Sequence, residues 1–182
     1  MVVTRASAVV LVIGVQGLVV LAARPSPAPA ATPKLTTTLL VPGKSVGGVR
    51  IGMTLKQVRA AWGSRGLCEP ARSPSAWCSW RGKPVEAGVD VHLRKGKVTA
   101  FSLVSGSDGQ HPLFGGSVGT LRTKDGVGLG STEADVLTAF PAISGLSSPL
   151  GLGVSYTLTT RPRTTELLVD PSARVVVSIG IG

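Results

Sequence analysis

Two stretches of the chain repeat one pattern of apolar and polar positions. Residues 48–62 read GVRIGMTLKQVRAAW and residues 126–140 read GVGLGSTEADVLTAF, and the two align without a gap. We call the offset that sets residue 48 on residue 126 the repeat shift. In the second half of each stretch, apolar residues recur every three or four positions, which predicts a short amphipathic helix. Further along the chain, the repeat shift aligns three more pairs of apolar residues: Val98 with Val176, Phe101 with Ile179, and Leu103 with Ile181. A register kept over this length favours an internal duplication.

The start of each predicted helix carries a capping signal. Thr54 and Thr132 are predicted N-caps, because a threonine hydroxyl can accept a hydrogen bond from an unpaired backbone N–H of the first turn. Gln57, three residues after Thr54, completes a capping box, and Asp135 offers a weaker version in the second stretch. A glycine follows the first helix and a proline the second, and both residues end helices.

Alternating apolar positions after each helix predict strands. Residues 75–81 align with residues 153–159, so that three residues of the first stretch match apolar or aromatic positions of the second: Ala76, Cys78 and Trp80 match Val154, Tyr156 and Leu158. Successive side chains of a strand point to opposite faces, so this set is expected in the core and Trp77 on the outer face.

Two further strands follow in each stretch, at about 85–93 and 98–104 in the first and at 165–169 and 175–181 in the second. The predicted fold class is therefore α+β. It consists of two tandem repeats, each a short helical segment packed on a three-stranded antiparallel sheet. The repeats span 46–104 and 124–182, and the polar, glycine-rich residues 105–123 form a linker.

The first thirty residues have the order of a secretion signal. A short segment with Arg5 precedes the apolar run 6–23, and small and proline residues follow it up to Ala30. We predict cleavage before Ala31, with cleavage after Ala23 as a second position. The alternative is an uncleaved anchor, since the apolar run is just long enough to cross a bilayer. Either way the rest of the chain is expected outside the cytoplasm, and residues 31–45 are expected to form a flexible extension.

Cys68 and Cys78 are the only cysteines. An even count in an oxidising compartment predicts a disulfide between them. A zinc site would need two further ligands, and the two histidines, His92 and His111, do not have ligand spacing to the cysteines. No metal and no cofactor is therefore expected.

The charge of the chain is strongly positive, with 19 lysine and arginine residues against 9 acidic ones. The basic residues are spread along the whole chain and are not interleaved with stacking aromatics, which argues against a nucleic-acid site. A solvated basic surface that favours an anionic cell envelope accounts for the charge.

No catalytic constellation is found in the sequence. Asp90 and His92 share the outer face of a predicted strand, but no nucleophile elbow places a serine beside them. The same face is expected to carry Trp77 and Arg94. An outward tryptophan with charged neighbours is typical of an interaction hot spot, so Trp77, His92 and Arg94 are the predicted binding residues.

The G-[VI]-x-[IL]-G-M-T-x-x-x-V signature at residues 48–58 resembles the SmpA/OmlA/BamE-like domain. A tandem pair of such units with a disulfide, on a secreted chain, resembles the β-lactamase inhibitor protein family. The resemblance covers 46–104 and 124–182, and it implies a fold and a capacity for protein binding but no target. The second copy departs from it in having Ser131 where the first has Met53, and in lacking cysteines. The lipid-attachment cysteine of BamE lipoproteins is also absent.

Three functions follow from these patterns. The first is a secreted, non-enzymatic module, inhibitor-like in its architecture, that binds an extracellular protein or envelope component and contacts a membrane only through its N-terminal segment. The second is a structural envelope protein held at the membrane by an uncleaved N-terminal segment. The third is a hydrolase with an unrecognised site.

Export generates the first testable prediction. Because residues 1–30 have the order of a signal peptide, the mature protein should begin near Ala31, which intact-mass measurement of native material decides. Recovery of residues 1–30 in a membrane fraction would support the anchor instead, and a cytoplasmic location would exclude both.

Overall fold

The computed structural model describes residues 31–63, 65–69, 75–147 and 153–182. The predicted signal peptide or anchor at 1–30 lies outside these residues. The described chain is α+β and mostly strand, with two α-helices, α1 (Leu55–Trp62) and α2 (Glu133–Ala139), and a short 3-10 helix, Val118–Thr120. Neither α-helix of the described ranges is long and apolar enough to span a membrane. The strands are β1 (Leu40–Val41), β2 (Ser45–Val46), β3 (Val49–Arg50), β4 (Leu67–Cys68), β5 (Ser75–Trp80), β6 (Gly88–Arg94), β7 (Lys97–Val104), β8 (Gly106–Ser107), β9 (Pro112–Leu113), β10 (Gly145–Ser147), β11 (Val154–Thr160), β12 (Arg163–Val169) and β13 (Val176–Ile181).

Eight of these strands form one antiparallel sheet in the order β10-β11-β12-β13-β7-β6-β5-β4. We predicted a three-stranded antiparallel sheet in each repeat, and the structure joins the strands of both halves into one sheet through β7 and β13. At this junction Phe101 pairs with Ile181, and Ser102 pairs with Gly180. The last strand of each three-stranded unit would otherwise be an edge with unpaired backbone groups, and their mutual pairing removes both edges.

Each helix begins at a threonine that forms a complete capping box. The Thr54 hydroxyl accepts a hydrogen bond from the Gln57 N–H (3.4 Å), and the Gln57 side chain accepts one from the Thr54 N–H (2.8 Å). In α2 the Thr132 hydroxyl accepts from the Asp135 N–H (3.1 Å), and the Asp135 carboxylate accepts from the Thr132 N–H (2.8 Å). The aspartate box is thus as complete as the glutamine box, because the shorter side chain still reaches the cap.

The turn before each helix is bonded to the last strand of its half in the same way. The bonds run from Gly52 N to Val98 O (2.8 Å), from Val98 N to Met53 O (2.8 Å), from Gly130 N to Val176 O (2.9 Å) and from Val176 N to Ser131 O (2.8 Å). The repeat shift carries each bond of the first half onto its counterpart in the second. The two glycines have φ of +91° and +80°, a left-handed conformation that a side chain disfavours.

The first hairpins of the two halves differ in register. The repeat shift sets Cys78 on Tyr156 and Val91 on Val169. Cys78 pairs with Val91, but Tyr156 pairs with Leu167. The displacement is two residues, and an even displacement leaves every side chain on its original face of the sheet. Cys78 and Tyr156 are accordingly both buried.

The core lies between the inner face of the sheet and a layer made of the two helices and residues 40–49 and 118–129. Trp62 of α1 packs edge-on against Trp80 with ring centroids 5.6 Å apart, and lies 6.2 Å from Phe101. Each indole nitrogen also donates a hydrogen bond to a backbone carbonyl, from Trp62 to Gly47 (3.0 Å) and from Trp80 to Gly63 (3.1 Å). The bulky apolar surface is therefore buried without leaving an unpaired indole N–H.

The segment 31–45, predicted to be a flexible extension, is packed against both halves. Leu40 is completely buried. The Thr32 hydroxyl donates to Glu86 (2.7 Å), and the Gly43 N–H donates to the Thr165 hydroxyl (2.9 Å). The threonine- and proline-rich composition of the segment suggested a loose chain, but Leu40 is covered by residues distant in sequence. The predicted linker 105–123 similarly contains β8, β9 and the buried Val118.

Equivalent inner positions of the two halves are secured by different chemistry. Cys78 forms a disulfide with Cys68, which joins β5 to β4 (S–S 2.07 Å). Tyr156 instead donates a hydrogen bond from its hydroxyl to the buried carboxylate of Glu133, and Arg174 forms an ion pair with the same carboxylate. The hydrogen bond to Glu133, followed by burial and the negative charge of Glu133, raises the pKa of Tyr156, while the charge of Arg174 opposes the shift.

The disulfide yields a prediction of stability. Replacing both Cys68 and Cys78 by alanine should lower the free energy of unfolding by about 2–3 kcal/mol, because the cross-link restricts a loop of about ten residues in the unfolded chain. Denaturant unfolding of the double variant beside the oxidised parent measures it. Stoichiometric labelling of both thiols in the unfolded, unreduced parent would contradict the bond itself.

The Tyr156 network yields a prediction of pH dependence. The chain has one tyrosine, so the ultraviolet absorbance of phenolate reports Tyr156 alone. Its titration midpoint should lie above 10.0 in the folded protein and return toward 10.0 in denaturant. Because the folded pKa is raised, the stabilisation is complete below the ordinary tyrosine pKa and is lost as the pH rises through the folded pKa.

Two variants test the cause of this shift. Glu133→Gln should lower the folded midpoint, since the charged acceptor is removed. Tyr156→Phe should cost about 1–3 kcal/mol at neutral pH, because it leaves a buried carboxylate oxygen without its donor, and should abolish this alkaline loss of stability. A folded midpoint at or below 10.0 in the parent would show that the network does not form.

Candidate functional site

The outer face of the eight-stranded sheet is the open one. The helices, together with residues 40–49 and 118–129, cover the inner face, whereas side chains on the outer face are exposed or half-buried. One row of cross-strand neighbours runs over this face through six strands: Ser79, Asp90, Ser102, Gly180, Glu166 and Thr157. These side chains are small or polar, so the middle of the face has low relief.

The three predicted binding residues lie together at one end of this face. Trp77 of β5 is the direct cross-strand neighbour of His92 on β6, and Arg94 lies two residues further along β6. On the same strand, Cys78 and Trp80 point inward and are buried. The Trp77 side chain points outward and is 38% exposed. Local strand alternation is thus what directs the indole outward.

A shallow cavity of about 280 Å³ is lined by these three residues together with Glu69 and Thr99. We call these five residues the Trp77 patch. The Thr99 hydroxyl donates a hydrogen bond to the backbone carbonyl of His92 (3.3 Å), which ties the patch to β7. The patch contains one basic residue, Arg94, and one acidic residue, Glu69. It therefore combines the apolar indole of Trp77 with side chains of both charges.

His92 also contacts a serine. Its Nε2 lies 3.2 Å from the Ser102 hydroxyl. Within the described ranges no hydrogen bond joins Asp90 to His92, and Asp90 Oδ1 is buried without a partner. The backbone of Ser102 is engaged in the ladder with Asp90 and Gly180. Among the described residues, Ser102 and His92 therefore meet without a carboxylate hydrogen-bonded to the imidazole, which a hydrolytic triad includes.

A larger groove, which the sequence did not reveal, lies at the other end of the molecule. It has a volume of about 610 Å³ and lies between β1, the end of α2 and the end of β11. Its apolar lining includes Leu39, Val41, Pro42, Phe140 and Leu158, and its polar lining Lys44, Lys124, Asp125, Thr160 and Arg161. These residues come from four separate parts of the chain, so no local motif could have indicated the groove.

Metal chemistry finds no support in the described part of the chain, where no three His, Cys, Asp or Glu side chains converge on a possible ion. Both cysteines are in the disulfide. His111 lies 3.8 Å from Asp108 on an exposed loop. That no cofactor is used stays a prediction.

Comparison with known proteins gives a likeness of fold only. No protein-family model matches the chain, and no curated protein matches it. A crystal structure of an extracellular protein containing an SCP domain, from Bacillus anthracis, is similar with a TM-score of 0.50 at 14% identity, over 71% of this chain and 43% of that one. A cysteine-rich secretory protein from Staphylococcus aureus has a TM-score of 0.47 at 10% identity, over 84% of this chain and 47% of that one. The chain spans less than half the length of either.

These comparisons correct the family suggested by the sequence. The resemblance to tandem BamE-like domains and to the β-lactamase inhibitor protein family is wrong, since no family model matches and the similar fold is that of an extracellular protein containing an SCP domain. The motif misled for a physical reason. A glycine with positive φ followed by a capping threonine is the local requirement of a helix entered from a tight turn, and unrelated folds share that requirement.

Proposed function

We propose that this chain is a secreted, non-enzymatic binding module whose partner, an extracellular protein or envelope component, docks on the Trp77 patch. The observation that carries the proposal is the exposed Trp77 indole, paired with His92 on an open and otherwise low-relief sheet face. Export is part of the proposal. It rests on the signal pattern of residues 1–30, and the Bacillus anthracis neighbour is itself described as extracellular.

The energetics of the patch favour a partner. The exposed 38% of Trp77 is surface that a partner could remove from water, at about 25 cal/mol for each Å² of apolar area buried. Tryptophan and arginine are also the residues that most often dominate binding energy. The small side chains of Ser79, Ala100 and Ser102 beside the patch allow a partner backbone to approach closely. His92 and Arg94 then supply polar contacts at its rim.

A hydrolase is the second candidate, because the His92–Ser102 contact is the one observation that favours it. The serine lies in the middle of a strand on an open face, where water is not excluded and the backbone of Ser102 pairs with a strand on each side. This arrangement supports binding over catalysis. The structural envelope protein differs from the leading proposal only in retaining residues 1–30, which the mass measurement distinguishes.

We also propose that the two halves arose by duplication. The bonds between helix entry and last strand recur at the interval of the repeat shift. At the junction, Ser102 pairs with Gly180, and the repeat shift sets these same two residues on each other. A two-fold axis relating the halves would therefore pass through this pair, as in a self-complementary interface between two copies of one unit.

The Trp77→Ala variant tests the binding function. Its partner is to be captured from envelope and culture-fluid fractions of the source organism with the parent protein. The variant should then bind that partner at least tenfold more weakly, because the apolar anchor is lost. Its free energy of unfolding should change by less than about 1 kcal/mol, because the side chain is on the surface.

Leu146→Ala is the matched control, since Leu146 is a second large apolar side chain, 74% exposed, on β10 at the opposite edge of the sheet. It should bind the partner as the parent does. If Trp77→Ala binds equally well, or mainly unfolds the protein, the Trp77 patch is not the binding site.

A further inference from the structure

The groove at the end of β11 lies beside an open strand edge. β12 pairs with the whole of β11, up to Thr160 opposite Arg163. On its other side β11 is covered by β10 only at its first three residues, and the last of these pairs is Tyr156 with Gly145. No described strand continues along residues 157–160.

An open edge of this kind is a template for another strand. In an antiparallel sheet, the N–H and C=O groups of successive residues point alternately to the strand on one side and to the strand on the other. The free groups along 157–160 are therefore available to an extended segment. The inward side chains of an added strand would lie next to Leu158 and Thr160, which line the groove. The Thr160 hydroxyl is buried there without a hydrogen-bond partner in the described structure.

In the first half, residues 31–34 lie over the equivalent position and bond to Trp62 and Arg65. The repeat shift sets Trp62 and Trp80 on Phe140 and Leu158 of the groove. Over the tryptophans run residues 31–35, whose backbone donates from Ala31 N to Arg65 O (3.1 Å) and from Lys34 N to Trp62 O (3.0 Å). Among the described residues, no such segment covers the groove of the second half. This step rests on the proposed equivalence of the halves.

The charge of the groove indicates which kind of peptide segment it can bind. Lys44, Lys124 and Arg161 line it against the single carboxylate of Asp125. No ion pair neutralises these three cations within the described ranges. Residues 1–30 carry Arg5 and Arg24 and no acidic residue, so they do not match this charge.

We propose that the β11 groove binds an extended, acidic segment of a partner protein, which adds as a strand to residues 157–160 and places alternate apolar side chains in the groove. This surface is separate from the Trp77 patch and acts in addition to it. The three cations pair with acidic residues of the segment, and the groove accepts its inward side chains.

Selection from a random library of linear twelve-residue peptides on the exported protein tests the proposal. The enriched sequences should be acidic, with apolar residues at alternate positions. Their affinity should fall as salt concentration rises, because the groove and the peptide attract by charge. Enrichment of basic sequences, of sequences without alternation, or of none would overturn the proposal.

Two measurements on the backbone distinguish strand addition from purely electrostatic binding of the peptide. The best peptide, N-methylated at alternate residues, should lose at least tenfold in affinity, because it can no longer donate to the edge. Amide exchange in residues 157–160 should slow when the unmodified peptide binds. Equal binding of the methylated peptide, or unchanged exchange, would overturn strand addition.

Charge variants locate the site. Lys44→Glu with Lys124→Glu should weaken peptide binding at least tenfold, whereas Lys56→Glu with Lys83→Glu, an equal change of charge away from the groove, should weaken it less than threefold. Unfolding curves establish that both variants are folded. Equal losses in the two would overturn the assignment to the groove.

Two further arms separate this proposal from its rivals. Trp77→Ala should bind the peptide as the parent does. A negative result for partner binding at the Trp77 patch would therefore not bear on peptide binding in the groove. Loss of peptide binding in that variant would overturn the separation of the two surfaces. If no peptide is enriched and dodecanoate binds saturably, with at least tenfold weaker binding to the variant Lys44→Glu with Lys124→Glu, the groove is a lipid site and the proposal is overturned.

Discussion

Where β7 meets β13, four antiparallel residue pairs join the two halves of the chain. Without them each half would be a small sheet with an exposed edge and a partial core. With them, Phe101 lies beside Ile181 and Leu103 beside Ile179, and all four side chains belong to one core. The same pairs make the outer face continuous from β5 to β11. A surface broad enough for a partner is thus a consequence of the pairing that closes the core.

Strand alternation decides which side chains that surface presents. In β5 it turns Cys78 and Trp80 inward and Trp77 outward. The first hairpins of the two halves differ by two residues in register, and the even number preserves the alternation. A displacement of one residue would have placed Glu166 in the core and Leu167 in solvent, at the cost of burying a charge. The registers of the two hairpins can therefore differ only by an even number of residues if the same side chains are to stay buried.

The features that could be predicted from the sequence are those fixed by local chemistry. Thr54 and Thr132 cap helices because their hydroxyls reach the first turn, and the outward position of Trp77 follows from its immediate neighbours. What could not be predicted depends on distant residues. The fusion of two sheets requires one strand edge to meet another, and the burial of Leu40 requires residues far along the chain. The apparent family resemblance failed because its motif describes only the local entry into a helix.

The two halves differ at several positions on the surface. Position 77 is tryptophan, and its counterpart at 155 is serine. The inner site at Trp62 and Trp80 is covered by residues 31–35, whereas the corresponding groove at Phe140 and Leu158 is open. The disulfide and the Tyr156 network maintain similar cores beneath these differences. Divergent surfaces on two packed cores are what separate binding roles would require, because each half keeps a buried core, with different chemistry at equivalent inner positions, while its solvent-facing side chains vary.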